Sequence, residues 1–268
     1  MALDLNDRLL YYPKPKPFGF LVKTPGTFRD VAVASFNKKS LPKWGVIAAS
    51  TGLLLLFDKQ LLDGVQNFSA FINLDNTRIY HDVIDFDIGS QHVTIYEAPG
   101  NINTFIYQIG EGLPSLLLGA GLAVYGNIKN DYRARSTASQ LAQTFVVMGI
   151  TTQLLKRVFG RESPYVATSD RGVWTPFPNW VTYQNNVPHY DAFPSGHMAT
   201  LAASLVIFSD NYPEKRWIKP VGYSIMSLVG LAMMNNGVHW ASDYPLAIGL
   251  GWVCGKVTVK MNRWVKGK

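Results

Sequence analysis

The chain has 268 residues, of which 47% are hydrophobic and only 16% charged, and its formal net charge is +7. A soluble domain carries about 25% charged residues, so an ordinary water-soluble enzyme is disfavoured. The length fits one domain spanning residues 1–268, with no linker and no repeat. The lone Cys254 excludes an internal disulfide and reads as a small buried hydrophobe.

The opening stretch, MALDLNDRLLYYPKPKPFGF, lacks the continuous apolar run of a signal peptide, because proline and lysine interrupt it. Six apolar helices are predicted, over 44–57, 111–127, 139–155, 197–209, 218–235 and 246–260. Most are shorter than the about 20 apolar residues that span a bilayer. They are rich in Gly, Ala, Ser and Thr, which let helices approach closely in membranes. Charge placement decides between core helices and membrane spans. With the N-terminus inside, 19 of the 25 Lys and Arg fall on inside pieces and six on outside pieces. This is the positive-inside pattern. The basic excess therefore reads as topology rather than as a nucleic-acid footprint, and residues 1–43 are expected on the cytoplasmic side.

Residues 58–110 form an extra polar segment between the first and second helices, expected outside, with short amphipathic helices at most. Asp82, Asp85 and Asp87 lie there near His81 and His92. The spacing matches no metal-ligand pattern, so the segment reads as a solvated loop, and no metal or other cofactor is expected.

Three further pieces fall on the same outside face: LKRVFGRESP (155–164), FPSGH (193–197) and GVHWASD (237–243). Lys156, Arg157, Arg161 and Arg171 concentrate there four of the six outside cations. Ser195 and Gly196 precede a helix whose first N–H groups attract anions. Lys156 and Arg161 add positive charge, and a guanidinium grips phosphate with two hydrogen bonds. His197 stands beside this cradle. His239 and Asp243, four apart, share a face if helical. The carboxylate then orients the ring and leaves its other nitrogen free to attack. Each piece also has a plain structural reading: Ser195 as a helix cap, His239 and Trp240 as part of an aromatic belt, Asp243 as the cap of the last helix, and Lys156 and Arg157 as helix-end cations.

Taken together, the three pieces resemble the signature of the type 2 phosphatidic acid phosphatases (PAP2). That family shares a helical fold with vanadium haloperoxidases and bacterial acid phosphatases. Its pattern is a lysine, six residues and Arg-Pro; then PSGH; then Ser-Arg, five residues, His, three residues and Asp. The resemblance covers about 139–260, the motif-bearing core. It implies an all-α, six-helix integral-membrane bundle. It also implies His239 as the nucleophile that forms a phosphohistidine, His197 as the acid and Asp243 as its orienting partner. Lys156 and the backbone at Ser195 and Gly196 would hold the phosphate. Two positions depart from the pattern. Ser163 and Met233 stand where the family has arginines. Arg161, Arg157, Asn235, Asn236, His189 and Arg171 are candidates to compensate.

The resulting expectation is a metal-independent phosphatase acting on a lipid phosphate or diphosphate, with membrane lipids and no nucleic acid as partners. Its place would be a bacterial inner membrane, with the site facing the periplasm. Trp174, Phe177, Trp180 and Tyr183, in the loop 164–192, are candidates to hold the lipid tail or to form an aromatic belt. The competing expectation, raised by Ser163 and Met233, is a non-catalytic scaffold or lipid-binding relative. A haloperoxidase ranks third, because fewer cations weaken vanadate retention.

Overall fold

The computed structural model describes residues 1–5, 8–89 and 91–267. In chain order its elements are β1 (Ala2–Leu5), β2 (Arg8–Tyr11), α1 (Gly19–Ser35), α2 (Leu41–Phe71), β3 (Tyr80–Ile88), β4 (Gln91–Pro99), α3 (Ile102–Ile109), α4 (Gly112–Ile128), α5 (Tyr132–Phe159), α6 (Trp180–Asn185), α7 (Gly196–Asn211), α8 (Ile218–Asn235), α9 (Tyr244–Asn262) and β5 (Trp264–Gly267). All six expected helices form. The six-helix, all-α reading nevertheless needs correction: the described residues hold three further helices and two small antiparallel sheets.

The largest departure lies in 58–110. The first helix does not stop at Phe57 but runs to Phe71, and the polar stretch beyond it is a hairpin, β3–β4, followed by α3. HDVIDFDI and QHVTIYEA alternate with period two and carry β-branched residues, which suit a pleated strand rather than a helix. Asp87 lies opposite His92 in the ladder, and His92 Nδ1 contacts Asp87 Oδ1 at 2.9 Å. His92 Nε2 lies 3.6 Å from both Asp82 and Asp85, so cross-strand pairing accounts for this acidic cluster. At the other end of the molecule β2 pairs with β1 and β5, tying the two ends of the chain together.

An apolar core that includes Val147, Met148, Ala199, Ala203, Val229 and Leu250 packs α5, α7, α8 and α9 together. Polar side chains also hold the bundle's interior together: Asn211 Nδ2 donates to Gln140 Oε1 at 2.7 Å, Asn262 Nδ2 to Gln143 Oε1 at 3.0 Å, and Thr144 meets Thr258 at 3.1 Å. Large apolar side chains face outward, among them Leu53, Leu56, Phe57 and Phe68 of α2 and Leu117 of α4. Interhelical hydrogen bonds and outward apolar surface are what a lipid environment favours. By length and composition one helix, Lys38–Phe71, is able to cross a membrane, or two if the bent α3–α4 pair (60°) is one span. The six spans expected from the charge pattern are therefore not all of spanning length.

The helices α7 and α9 approach closely enough that a Cβ on Gly251 would lie 2.2 Å from the Ala199 carbonyl oxygen. Ala199 is two residues from His197, so this contact sets where the start of α7 sits. Replacing Gly251 with Ala is expected to destabilise the protein by about 1–3 kcal/mol, the usual cost of overpacking, and to lower any activity of the site. Thermal unfolding in detergent checks the first effect, and an unchanged midpoint would refute it.

Candidate active site

The chain turns of the three pieces are specified locally. After α8 the chain closes a Schellman motif: Val238 N–H donates to Met233 O at 2.9 Å and Gly237 N–H to Met234 O at 3.0 Å, with Gly237 at φ +65°. That conformation suits glycine, and it delivers His239 two residues later. His239 and Asp243 do not share a regular α-helix, as the spacing had suggested. His239 precedes a 3₁₀ turn, Ala241–Asp243, and the Asp243 side chain folds back to accept from Trp240 N–H at 2.8 Å. The same Oδ2 stands 3.3 Å from His239 Nδ1. A carboxylate at that nitrogen favours the tautomer with its proton on Nδ1 and the lone pair on Nε2.

Ser195 caps α7, its Oγ accepting from Met198 N–H at 3.4 Å, and its own N–H donates to Asp243 O at 3.2 Å. This backbone bond ties the PSGH turn to the His239 turn. The ring centroids of His197 and His239 are 6.2 Å apart, edge to face, and His197 rests on Tyr107 of α3 at 4.6 Å. His197 Nε2 is buried without a hydrogen-bond partner. A Cβ on Gly196 would meet nothing within 4 Å, so open space adjoins the turn. Lys156, in the last turn of α5, is buried and donates to Asp191 Oδ2 at 3.0 Å. His197 lies within electrostatic reach of His239, Lys156 and Arg78.

Arg161 does not act as expected. It is fully buried, and all five of its N–H groups are taken. Nε and Nη2 donate to the Arg171 carbonyl at 3.2 and 2.7 Å, Nη2 also to Asp58 Oδ2 at 2.7 Å, and Nη1 to Ser242 Oγ at 2.7 Å and to Asp243 Oδ1. No donor is left for a phosphate, so its place among the phosphate-binding residues is withdrawn. Asp58 in turn accepts from Ser242 N–H at 3.0 Å and from Ser242 Oγ.

Of the other candidates to compensate, Arg157, His189 and Asn235 have partners elsewhere, whereas Asn236 Nδ2 is buried without a partner and the Arg171 side chain is exposed. Arg157 lies over Trp180 and Tyr183, at 4.7 and 4.4 Å. His189 faces Glu162 at 3.4 Å, and Arg171 contributes its carbonyl to Arg161. Asn235 donates to Asp75 O at 3.3 Å, and Asn236 accepts from Asn103. Ser163 and Met233 are buried, the Ser163 N–H donating to Pro188 O at 2.8 Å and the Met233 sulfur lying 3.7 Å from Ser195 Oγ. Of the loop aromatics, Trp174 packs on Phe159 and Phe193, Tyr183 is buried, and only Phe177 and Trp180 are exposed.

Sequence reasoning missed Asp58, Ser242 and Asp191. Asp58 carried a readable signal, since an acid inside LLLLFDKQLL belongs to a polar interior or a site. Asp191, next to FPSGH, carried a weaker one.

Residues 137–266 match the model of the PAP2 superfamily. A 68-residue stretch is 32% identical to a Lipid A 1-phosphatase of Porphyromonas gingivalis, covering 25% of this chain and 15% of that protein's length. Among solved structures the chain is similar to LpxE of Aquifex aeolicus, at 21% identity and TM-score 0.43 over 59% of this chain and 83% of that one. It is also similar to a transmembrane PAP2-type phosphatidylglycerolphosphate phosphatase of Bacillus subtilis, at 16% identity and TM-score 0.36 over 90% and 94%.

Two predictions follow from the geometry of the PAP2 segment. Asp58→Ala leaves the buried Arg161 charge with one carboxylate instead of two. Breaking a buried pair costs about 3–5 kcal/mol, so a large drop in the thermal midpoint is expected, together with loosening of Asp243. A midpoint within error of wild type would show that Asp58 is dispensable. The second concerns Glu162 in the loop after α5. Burial raises its pKa, but the N–H groups of Val173 and Thr168 and the side chains of His189 and Thr168 outweigh burial and leave it lowered. A depressed carboxyl stabilises the fold fully above its ordinary value of 4.5, and that stability is lost as pH falls through the lower folded-state value. Glu162→Gln is therefore expected to flatten the acid limb of the pH–stability profile, and an unchanged limb would contradict the assignment.

Proposed function

We propose that the protein is an integral-membrane phosphatase that removes the terminal phosphate of a lipid phosphate or diphosphate at the outer, periplasmic face. The observation that carries this reading is the pairing of His197 with the buried His239 at 6.2 Å, the latter oriented by Asp243, beside Lys156 and an open helix N-terminus. It is supported by the relatives, which are described as acting on lipid A and on phosphatidylglycerolphosphate.

In the proposed reaction His239 Nε2 attacks phosphorus, the bond from phosphorus to the lipid oxygen breaks, and His197 passes its proton to the departing oxygen. Water then attacks the phosphohistidine, and His197 accepts its proton. Inorganic phosphate leaves and His239 is restored. Asp243 balances the charge that grows on His239. Lys156 and the N–H groups at the start of α7 stabilise the phosphoryl oxygens. The short loops carry their Lys and Arg on the opposite side, which supports an outward-facing site.

The competing reading is a lipid-binding relative without turnover. It is favoured by Ser163 and Met233, and further by the full commitment of Arg161. Phosphate release by the detergent-purified protein, across a panel of lipid phosphates with EDTA present, separates the two. Release that survives EDTA and disappears in His239→Ala is the expected result. Release equal to that of His239→Ala on every lipid would sink the phosphatase reading for those substrates.

A further inference from the structure

One cation reaches this site from outside the segment 137–266. Arg78 lies between α2 and β3, in a stretch tied down at several points. The Asp75 carboxylate accepts from Thr77 N–H at 2.8 Å and from its hydroxyl at 2.7 Å. The Thr77 carbonyl accepts from Asn101 Nδ2 at 2.9 Å, and Ile79 N–H donates to Thr104 Oγ1 at 3.2 Å. The Asp75 carbonyl accepts from Asn235 Nδ2 at 3.3 Å. Arg78 is thereby fixed between the start of α3 and the end of α8.

Both ends lead to a histidine. From the start of α3 the chain carries Tyr107, whose ring rests on His197. The Arg78 guanidinium lies 5.0 Å over the ring of Tyr165, whose N–H donates to Gly237 O at 2.9 Å, two residues before His239. Tyr107 and Tyr80 are its other aromatic neighbours.

Arg78 differs from Lys156 and Arg161 in what it is bonded to. Lys156 is paired with Asp191, and Arg161 with Asp58 and Asp243. Among the described residues Arg78 makes no carboxylate ion pair, and its side chain remains exposed at the mouth. Its hydrogen-bond partners are the neutral Tyr165 and Tyr107 hydroxyls rather than carboxylates, and a guanidinium has five N–H groups, enough to serve these and still offer two to a phosphate.

On the phosphatase reading above, we infer that Arg78 is the arginine that grips the substrate phosphate, supplied from outside the PAP2 segment in place of the two arginines that Ser163 and Met233 replace. The buried, unpartnered His197 Nε2 and the open space at Gly196 mark where that phosphate sits.

The test uses the full-length protein in detergent, as wild type, Arg78→Gln, Arg78→Lys and His239→Ala. It has two readouts: turnover on the lipid phosphate panel and orthovanadate binding by thermal-shift titration. Arg78→Gln is expected to lower kcat/KM by about 10²–10³, as removal of a donor to transition-state charge does. It should also weaken orthovanadate binding by at least about tenfold, with Arg78→Lys recovering part of both because it keeps the charge but not the paired bonds. Wild-type turnover and orthovanadate affinity in Arg78→Gln, with His239→Ala inactive, would overturn the assignment and leave the phosphatase standing. Orthovanadate binding that needs Arg78, in a protein without turnover, would uphold the anion grip and remove the phosphatase. A wild type that neither turns over nor binds orthovanadate removes both. Should Arg78→Gln fail to fold, Arg78→Lys decides, since full wild-type behaviour there contradicts a two-bond grip.

Discussion

A guanidinium can be buried only if its five N–H groups all find acceptors and its charge finds a counter-charge. Arg161 meets that condition by drawing acceptors from three places. Asp58 comes from α2, Ser242 and Asp243 from the turn before α9, and the Arg171 carbonyl from the loop before α6. Trp174 and Trp240 flank the guanidinium, at 4.9 and 5.2 Å. Asp243 is the one of these acceptors that also holds His239 and, through its carbonyl, Ser195. The two histidine turns are thus positioned by an ion cluster that itself touches no substrate. A residue that the sequence offered as a ligand for phosphate is instead the post to which the site is tied.

The helical part of the fold was largely legible. Each of the six apolar runs is a helix, because runs of that length without strong breakers have few other ways to satisfy their backbone. The ends were less legible. The run through Phe57 continues because Asp58, although charged, is satisfied inside the protein by Arg161 and Ser242, which no local pattern reveals. The hairpin was readable in principle from period-two alternation, but its cluster of Asp and His drew attention to metal chemistry instead. His197, His239, Asp243 and the Ser195 turn lie in contact with one another. The partners of the cations were not legible, since Lys156 meets Asp191 and Arg161 meets Asp58 across 35 and 103 residues of sequence.

Polar contacts within the bundle, beside its apolar core, help to explain why such a site can be built here. Glutamine, asparagine and threonine pairs in the interior of α5, α7 and α9 give the helices directional contacts that apolar packing against lipid tails does not supply. Small residues on α9 let α7 come close, and the PSGH turn sits at the end of that contact. Hydrogen-bonded helices then present two loops at a fixed separation.

That rigidity constrains the electrostatics. Lys156 faces Asp191, so an arriving phosphate meets a lysine already shared with a carboxylate and must tolerate that negative neighbour. Arg161 is neutralised by two carboxylates. A dianion entering such a place gains little unless a further cation faces it without a carboxylate of its own. Neither Ser163 nor Met233 carries charge, and both are enclosed by the fold. Within residues 137–266, Arg157 is turned to Gln153, Trp180 and Tyr183, and Arg171 is exposed. The requirement therefore points beyond that segment, to the stretch between α2 and the hairpin, where the loop that carries Arg78 is tied to α3, whose Tyr107 packs on His197, and to the end of α8, which leads to His239.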